Sequence, residues 1–461
     1  MSNCVVILAA GEGKRMKSGK QKVLSEVLFT PMLDWVTNAA EQAGAGDICI
    51  VAGHLRQQLE SYIDGKYPCA VQDGGGYGTG YAVMCAKDFL QEYKGQNVLI
   101  LCGDAPFIDA GTIKSALEVH QNNQYTATVI TANLKDPSGY GRIVRDNENN
   151  VAEIVEHKAA NAATLAIKEV NSGAYWFSVD ALLEVLFSIQ NNNQSNEYYL
   201  TDVIGLLVSR GMKVGAFAAP SPDIVLGAND RAQLMKLNER MRKKILEKHL
   251  NNGVEIPCDD GILIGRDVEI GSDTCVLPGT ILKGAVTIGR DCQIGPNTLV
   301  ENSQIGDRVK LNNTQCYLSK IEDDVKAGPF VHIRPNSHLK PHVYLGDFVE
   351  IKNSVMDEYA HVSHLTYVGD SDVGKHVNFG CGCVTVNYDG VSKHRCTIKD
   401  NVFLGCNTNL IAPVTIGENA YTAAGSTITE DVPDNALAVA RERQVNKDEW
   451  VTRRNEKAGK K

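Results

Sequence analysis

The chain has no run of about eighteen apolar residues, the length a membrane-spanning helix needs. No transmembrane segment and no membrane partner are expected. It has no excess of positive charge either: a formal net charge of −9 argues against a general nucleic-acid binder. The first residues lack a basic region and pass straight into an apolar stretch, so they do not read as a secretory leader. The 13 cysteines build no paired CxxC framework with zinc spacing. Cys381 and Cys383 come nearest, and two thiols alone make a poor metal site. Scattered at strand-like positions such as Cys49, Cys102 and Cys292, the thiols point to a reducing, cytoplasmic compartment. With 461 residues, 43% hydrophobic and 22% charged, the chain reads as an ordinary soluble protein of two or three domains.

What the chain does have is a repeat. From 264 to about 428 an aliphatic residue followed by a small or polar one returns at a hexapeptide period. It reads Ile264-Gly265, Ile270-Gly271, Val276, Leu282, Ile288-Gly289, Ile294-Gly295 and Val300, and ends Ile398, Leu404-Gly405, Leu410, Ile416-Gly417, Thr422 and Ile428. A helix would need apolar residues three and four apart. A hexapeptide period instead predicts a parallel β-helix, in which three repeats close a triangular coil of roughly 18 residues and coils stack at about 4.8 Å. The register is expected to fail around 335–344, 356–370 and 385–396, and function is expected at those breaks, because loops leave the coil there. In and beside them gather Arg334, Lys352, His361, His364, Tyr367, Asn378, Asn387, Tyr388 and Asp389. His364 is the best candidate general base, since histidine can accept a proton near neutral pH. His361 reads as structural.

Residues 1–229 alternate strand-like and helix-like stretches, which predicts an α/β domain with a largely parallel sheet covered on both faces. Ligands of such sheets bind beyond the carboxyl ends of the strands. The loop at 8–15, LAAGEGKR, offers two glycines and two cations, though it matches neither GxxxxGK[ST] nor GxGxxG. Asp104 follows the apolar stretch 98–102 and suits a divalent cation carried by a nucleotide, or a turn cap. The glycine-dense loop 74–80 suits a flat ring or a sugar. Residues 230–252 read as one helix, with Leu234, Leu237, Met241 and Ile245 on one face and Arg240, Arg242, Lys243, Lys244 and Lys248 on the others. It is expected to be a rigid, solvated spacer between domains at 1–229 and 253–461, not a nucleic-acid arm.

Taken in order, LAAGxGxRM, Lys22, GTG at 78–80, GDxP at 103–106, GYGR at 139–142, IVEHK at 154–158, NSG at 171–173 and GxN at 227–229 resemble the sugar-nucleotidyltransferase (pyrophosphorylase) family. Followed by hexapeptide repeats, the chain resembles the bifunctional uridylyltransferase/acetyltransferase family that makes UDP-N-acetylglucosamine in bacteria. The resemblance implies a Rossmann-like N-terminal domain and a left-handed β-helix packed as a homotrimer. In the first half it implies that Leu8, Ala9, Ala10 and Gly11 hold UTP, with Lys14 and Arg15 facing its phosphates and Lys22 neutralising charge. Gln72, Gly78 and Thr79 would line the uracil pocket, Asp104 and Asn229 would ligate Mg²⁺, and Gly141, Glu156 and Asn171 would bind N-acetylglucosamine 1-phosphate. In the second half it implies His364 as base, oriented by Glu350, with Arg334 and Lys352 clamping the phosphate of glucosamine 1-phosphate. Tyr367 and Asn378 would contact its sugar, and Cys381, Asn387, Tyr388, Cys406, Ala424 and Arg441 would line acetyl-CoA.

Three positions depart from that family. The loop after Gln72 is one residue longer than usual, Cys406 stands where Ser is common, and Cys381 stands where a small residue is usual. Trp450, in a polar and basic tail whose last lysines are expected to fray, would anchor to a neighbouring subunit. Two other readings remain: a single-activity nucleotidyltransferase with a structural β-helix, and a sugar-nucleotide-binding scaffold without catalysis. The polar cluster around His364 weighs against the first, and Asp104 together with His364 against the second.

Overall fold

The computed structural model describes residues 3–193 and 196–460. Met1 and the last lysine, Lys461, on which the leader and fraying expectations partly rest, lie outside the described residues. The chain falls into two compact units, Met1–Met241 and Arg242–Lys461.

The first unit is built on one nine-stranded sheet. Its strands are β1 (Cys4–Ala9), β2 (Asp47–Ala52), β3 (Cys69–Val71), β4 (Asn97–Cys102), β5 (Ala127–Asn133), β6 (Arg142–Arg145), β7 (Val151–Val155), β8 (Glu169–Ser178) and β9 (Val214–Ala218). They run in the order β9-β5-β8-β4-β1-β2-β3, with β6 and β7 forming a hairpin beside β8. Pairing is parallel except for β8, which is antiparallel to both neighbours, and the β6–β7 hairpin. The alternation in β1 shows why its apolar run is unbroken. Val5, Ile7 and Ala9 pack under Leu33, Val36, Leu59 and Ile113 on one face. Cys4 and Val6 pack under Val83, Leu90, Leu182 and Val203 on the other. A parallel sheet buried on both sides needs apolar residues at every position.

The second unit is the left-handed β-helix that its hexapeptide repeats encode. Most strands are two to four residues long and stack in parallel, and each face carries one inward column. One column runs Ile264, Leu282, Val300, Cys316, Ile333, Ile351 and Val368. A second runs Val276, Ile294, Leu311, Ala327, Leu345, Val362, Phe379, Leu404 and Thr422. The third runs Ile288, Ile305, Ile321, Leu339, Met356, Val373, Ile398 and Ile416. All are buried, and each Val, Leu, Ile, Phe or Met among them contributes roughly 1.5–3 kcal/mol of apolar burial. The corners take left-handed backbone, and Asn336, Asn353 and Asp370 fill one of them at φ 63°, 46° and 48°, a conformation Asn and Asp tolerate.

These ladders correct the expected register breaks. Around 335–344 and 356–370 the columns continue through Leu339, Val343, Met356, Ala360 and Val362, all buried. The coil there carries two long strands, Tyr344–Lys352 and His361–Gly369, that bend at Phe348 and Leu365 with positive φ. A slightly shorter coil shifts the sequence register without leaving the stack. Only the third break is a true excursion: the chain departs after Val384–Val386 and rejoins at Cys396–Ile398.

The basic helix spans Arg231–Asn251, and the boundary between the units falls inside it. Asp230 caps it by accepting from the Gln233 amide at 2.8 Å, while Gln233 reaches back to the Asn229 amide at 2.7 Å. Leu234, Leu237, Met241 and Ile245 are buried. Arg240, Lys243, Lys244 and Lys248 are exposed, with Arg240 paired to Asp223 at 2.6 Å, whereas Arg242 is half-buried and pairs with Asp259 at 3.3 Å. Trp450–Lys457 is helical, and the Lys460 amide donates to the Asn455 carbonyl at 3.0 Å. Trp450 is 52% exposed.

Each unit holds one buried histidine that burial pushes down to about 4: His120 in the first and His249 in the second. Both stay neutral when folded but gain a proton near pH 6.5 when unfolded. The folded state therefore loses relative stability as pH falls from 6.5 towards 4, by on the order of 1–3 kcal/mol per ring. Urea unfolding at pH 7.5, 6 and 5 should show this decline, and His249→Gln should flatten the slope of the second unit's transition.

Candidate functional sites

In the first unit the carboxyl ends of β1, β2 and β4 open onto a cleft of about 650 Å³. Leu8, Ala9, Ala10, Gly11, Lys22, Gln72, Gly78, Thr79, Asp104 and Glu156 all line it. Their convergence follows from register: Leu8 sits between Val51 and Cys102, so the loops after these strands emerge side by side. The floor is one polar node. The Lys22 ammonium hydrogen-bonds both the Asp104 carboxylate and Asn229 Oδ1, the latter at 2.8 Å. Two hard oxygens thus converge on one positive charge, a donor set that suits a divalent cation completed by phosphate oxygens. Gln21, which no sequence motif marks, fastens Lys22 in place: its side-chain amide donates to Ala9 O and its side-chain carbonyl accepts from the Val23 amide, both at 2.6 Å.

The glycine loop explains its own composition. Gly78 has φ 104°, and a Cβ there would run into the Tyr198 carbonyl. Thr79 Oγ1 accepts from the Leu200 amide at 3.1 Å. The longer loop folds back on itself, with Gln72 donating to Gly76 O at 3.1 Å and Tyr81 donating to Asp73 at 2.9 Å. Gly141, Glu156 and Asn171 also come together. The Asn171 side chain accepts from the Gly173 amide at 3.0 Å inside a bulge of β8, and its backbone amide donates to Gly141 O at 3.0 Å. A Cβ on Gly141 would lie 3.5 Å from Glu156 Oε1. Burial pushes the Glu156 carboxyl up, against a hydrogen bond from Thr201. Arg15 is exposed on the short helix Lys14–Met16, outside the cleft lining, and Lys14 pairs with Glu12 at 2.5 Å. Tyr77, Glu197 and Tyr199 line the cleft as well. The last two follow no glycine or charge motif, and only the fold brings them here.

In the second unit the ladder gathers a second polar cluster. Ile333 pairs with Ile351 and Ile351 with Val368, which stacks Arg334 over Lys352 on one side of the coil. Arg334 bonds Glu350 at 2.8 Å. Lys352 approaches Asp370 at 3.6 Å. Asp370 also accepts from Asn353 and from Asn387, and Asn387 reaches the Tyr367 hydroxyl at 3.3 Å. Burial acts to raise the Asp370 carboxyl, but the Asn353 and Asn387 amides and the Lys352 charge outweigh it and hold it below the usual range. Sequence reasoning missed Asp370, although it follows a glycine at a strand end just as Asp104 does. A Cβ on Gly369 would displace the Tyr367 hydroxyl and the Asn387 amide from their positions.

His364 is exposed at the bend of its strand. Its ladder partner is Asp347, not Glu350, which faces Tyr367. Asn378 lies on the adjoining face, paired with His361. Cys381, Cys406 and Ala424 occupy equivalent corner positions of successive coils, since Phe379 pairs with Leu404 and Leu404 with Thr422. Arg441 Cδ lies 3.7 Å from a Cβ built on Gly425. Tyr388 is exposed on the excursion loop, where Asp389 accepts from the Ser392 and Val391 amides and from His394, all at 2.7 Å.

Residues 4–222 match the nucleotidyl transferase family, and residues 267–302 and 395–430 match the bacterial transferase hexapeptide family (six repeats). Fold and sites therefore define a nucleotidyltransferase joined to a hexapeptide-repeat transferase. A protein from Acetivibrio thermocellus named bifunctional protein GlmU is 47% identical over 449 residues, 97% of each chain. Its namesake from Thermoanaerobacter pseudethanolicus is 49% identical over 452 residues, 98% of each. The chain belongs to the bifunctional GlmU family. A solved structure of a putative glucose-1-phosphate thymidylyltransferase from Bacillus anthracis in complex with a sucrose aligns over 52% of this chain and 96% of its own, at 20% identity and a TM-score of 0.43.

Asp370→Ala should leave Lys352, Asn353 and Asn387 without their common acceptor. It should cost about 1–3 kcal/mol in denaturant unfolding of the second unit and speed proteolysis of the 387–395 loop.

Proposed function

We propose that each unit carries one step of a two-step synthesis. The β-helix unit acetylates glucosamine 1-phosphate with acetyl-CoA, and the N-terminal unit transfers UMP from UTP to the resulting N-acetylglucosamine 1-phosphate. The products are UDP-N-acetylglucosamine, which feeds cell-wall synthesis, and pyrophosphate. The length of the match carries this reading: relatives named as bifunctional align over 97% and 98% of the chain, so neither half is missing its counterpart.

In the uridylyl step an oxygen of the sugar 1-phosphate attacks the α-phosphorus of UTP and pyrophosphate leaves. Positioning and charge neutralisation do most of the work in such transfers. Leu8 to Gly11 and Gln72, Gly78 and Thr79 take the nucleotide, while Gly141, Glu156 and Asn171 take the sugar. Lys22 neutralises charge on the phosphates, and Lys14 and Arg15 approach them from the exposed short helix Lys14–Met16. Asp104 and Asn229 would hold Mg²⁺, which draws phosphate oxygens together and lowers their charge.

In the acetyl step Arg334 and Lys352 clamp the phosphate, and Tyr367 and Asn378 orient the sugar. His364 takes a proton from the 2-ammonium group. The freed amine attacks the thioester carbonyl, and the CoA thiolate leaves with a proton. Asp347, opposite His364 in the ladder, is a better orienting group than Glu350, which is engaged by Arg334. Cys381, Asn387, Tyr388, Cys406, Ala424 and Arg441 line acetyl-CoA. The exposed Trp450 and the flat outer faces of the coil favour a homotrimer, a closed cyclic assembly. The thiol-rich composition favours the cytoplasm, and no described helix is long and apolar enough to cross a membrane.

His364→Ala should abolish acetyl transfer and spare uridylyl transfer, and Asp104→Ala should do the reverse, each measured with its own substrate pair. Loss of both activities in either variant would break the assignment of one site to each unit.

A further inference from the structure

The corner that carries Cys381 carries Cys406 one coil later. The register is set by Phe379 against Leu404 and by the Asn407 amide donating to the Cys381 carbonyl at 2.8 Å. The coils are in tight contact there: a Cβ built on Gly380 would lie 2.8 Å from Cys406 Cα. Stacked parallel strands stand about 4.8 Å apart, inside the Cα separation of about 4.4–6.8 Å that a disulfide spans. Both thiols are free and neither is buried: Cys406 is exposed and Cys381 partly so. The third thiol nearby, Cys383, is buried and donates to the Gly405 carbonyl at 3.2 Å, so it is turned away from the pair. Burial pushes that thiol up to about 11 against a backbone hydrogen bond at Thr408, with smaller contributions from Cys406 and Cys381.

We propose that Cys381 and Cys406 form a redox-active dithiol that a peroxide oxidises to a disulfide, closing the acetyl-CoA seat. The thiolate of the exposed Cys406 attacks one oxygen of hydrogen peroxide, giving a sulfenic acid and hydroxide, which takes up a proton to become water. The Cys381 thiolate then attacks the sulfenic sulfur, the S–S bond forms, and a second hydroxide leaves and is likewise protonated. Two electrons pass from the sulfur pair to the peroxide. A thiol reductant reverses the change by exchange. In the bridged form the two sulfurs are drawn together across adjacent coils, where the pantetheine arm would lie. This closing step rests on the assignment of Cys381 and Cys406 to acetyl-CoA, whereas formation of the bridge does not.

The test uses the full-length protein treated with hydrogen peroxide and then a dithiol reductant. Peptide mass spectrometry reads the bridge, and the two activities are assayed separately. The expected result is a cross-link between the peptides holding Cys381 and Cys406, with acetyl transfer lost and then restored on reduction while uridylyl transfer persists. Cys406→Ser and Cys381→Ala, each compared with its own reduced activity, should lose this sensitivity. Oxidation that stops at Cys406 as a sulfinic or sulfonic acid, with no cross-link, overturns the dithiol. A cross-link without loss of acetyl transfer overturns the closing step and the assignment of these residues to the acetyl-CoA seat.

Discussion

A parallel sheet has to bury at least one whole face, and the two units meet that constraint differently. The first covers its sheet with helices on each side, so β1 must be apolar at consecutive positions. The second rolls the sheet into a coil, so one face becomes interior and the other stays polar. Chemistry is confined to what is left over. In the first unit that is the loops at the strands' carboxyl ends, and in the second it is the outer surface and corners of the coil.

The two polar sites share a device. In each, a carboxylate that follows a glycine engages one lysine, with asparagine side chains completing the node. Asp104 holds Lys22, which also bonds Asn229. Asp370 lies against Lys352 and accepts from Asn353 and Asn387. A charge withdrawn from water has to be paired and hydrogen-bonded, and this pairing fixes where each lysine's charge sits. In the proposed reactions a phosphate competes for that lysine, so the resting ion pair presets the position of the cation.

Much of this was legible in the sequence because periodicity reports directly on burial. The hexapeptide column from Ile264 to Ile428 and the strand-end loops at Leu8 and Asp104 are read from spacing alone. What failed to show was lateral. Coils one residue short hide a continuous ladder behind an interrupted sequence pattern, which is why 335–344 and 356–370 looked like breaks. Glu350 looked like the partner of His364, whereas ladder register turns it to Tyr367 and brings Asp347 forward. Glu197 and Tyr199 reach the cleft only because their segment folds back over Gly78 and Gly80. Pairing of Cys381 with Cys406 likewise depends on which coil follows which, and the excursion at 387–395 between them conceals it.

Whether one chain runs both steps is decided by giving the purified full-length protein glucosamine 1-phosphate, acetyl-CoA, UTP and Mg²⁺ together and following UDP-N-acetylglucosamine by chromatography. The expected outcome is that product, with pyrophosphate, only when acetyl-CoA is present. The two-step synthesis would be contradicted if no UDP-N-acetylglucosamine formed from this mixture while the same protein readily uridylylated N-acetylglucosamine 1-phosphate supplied ready-made.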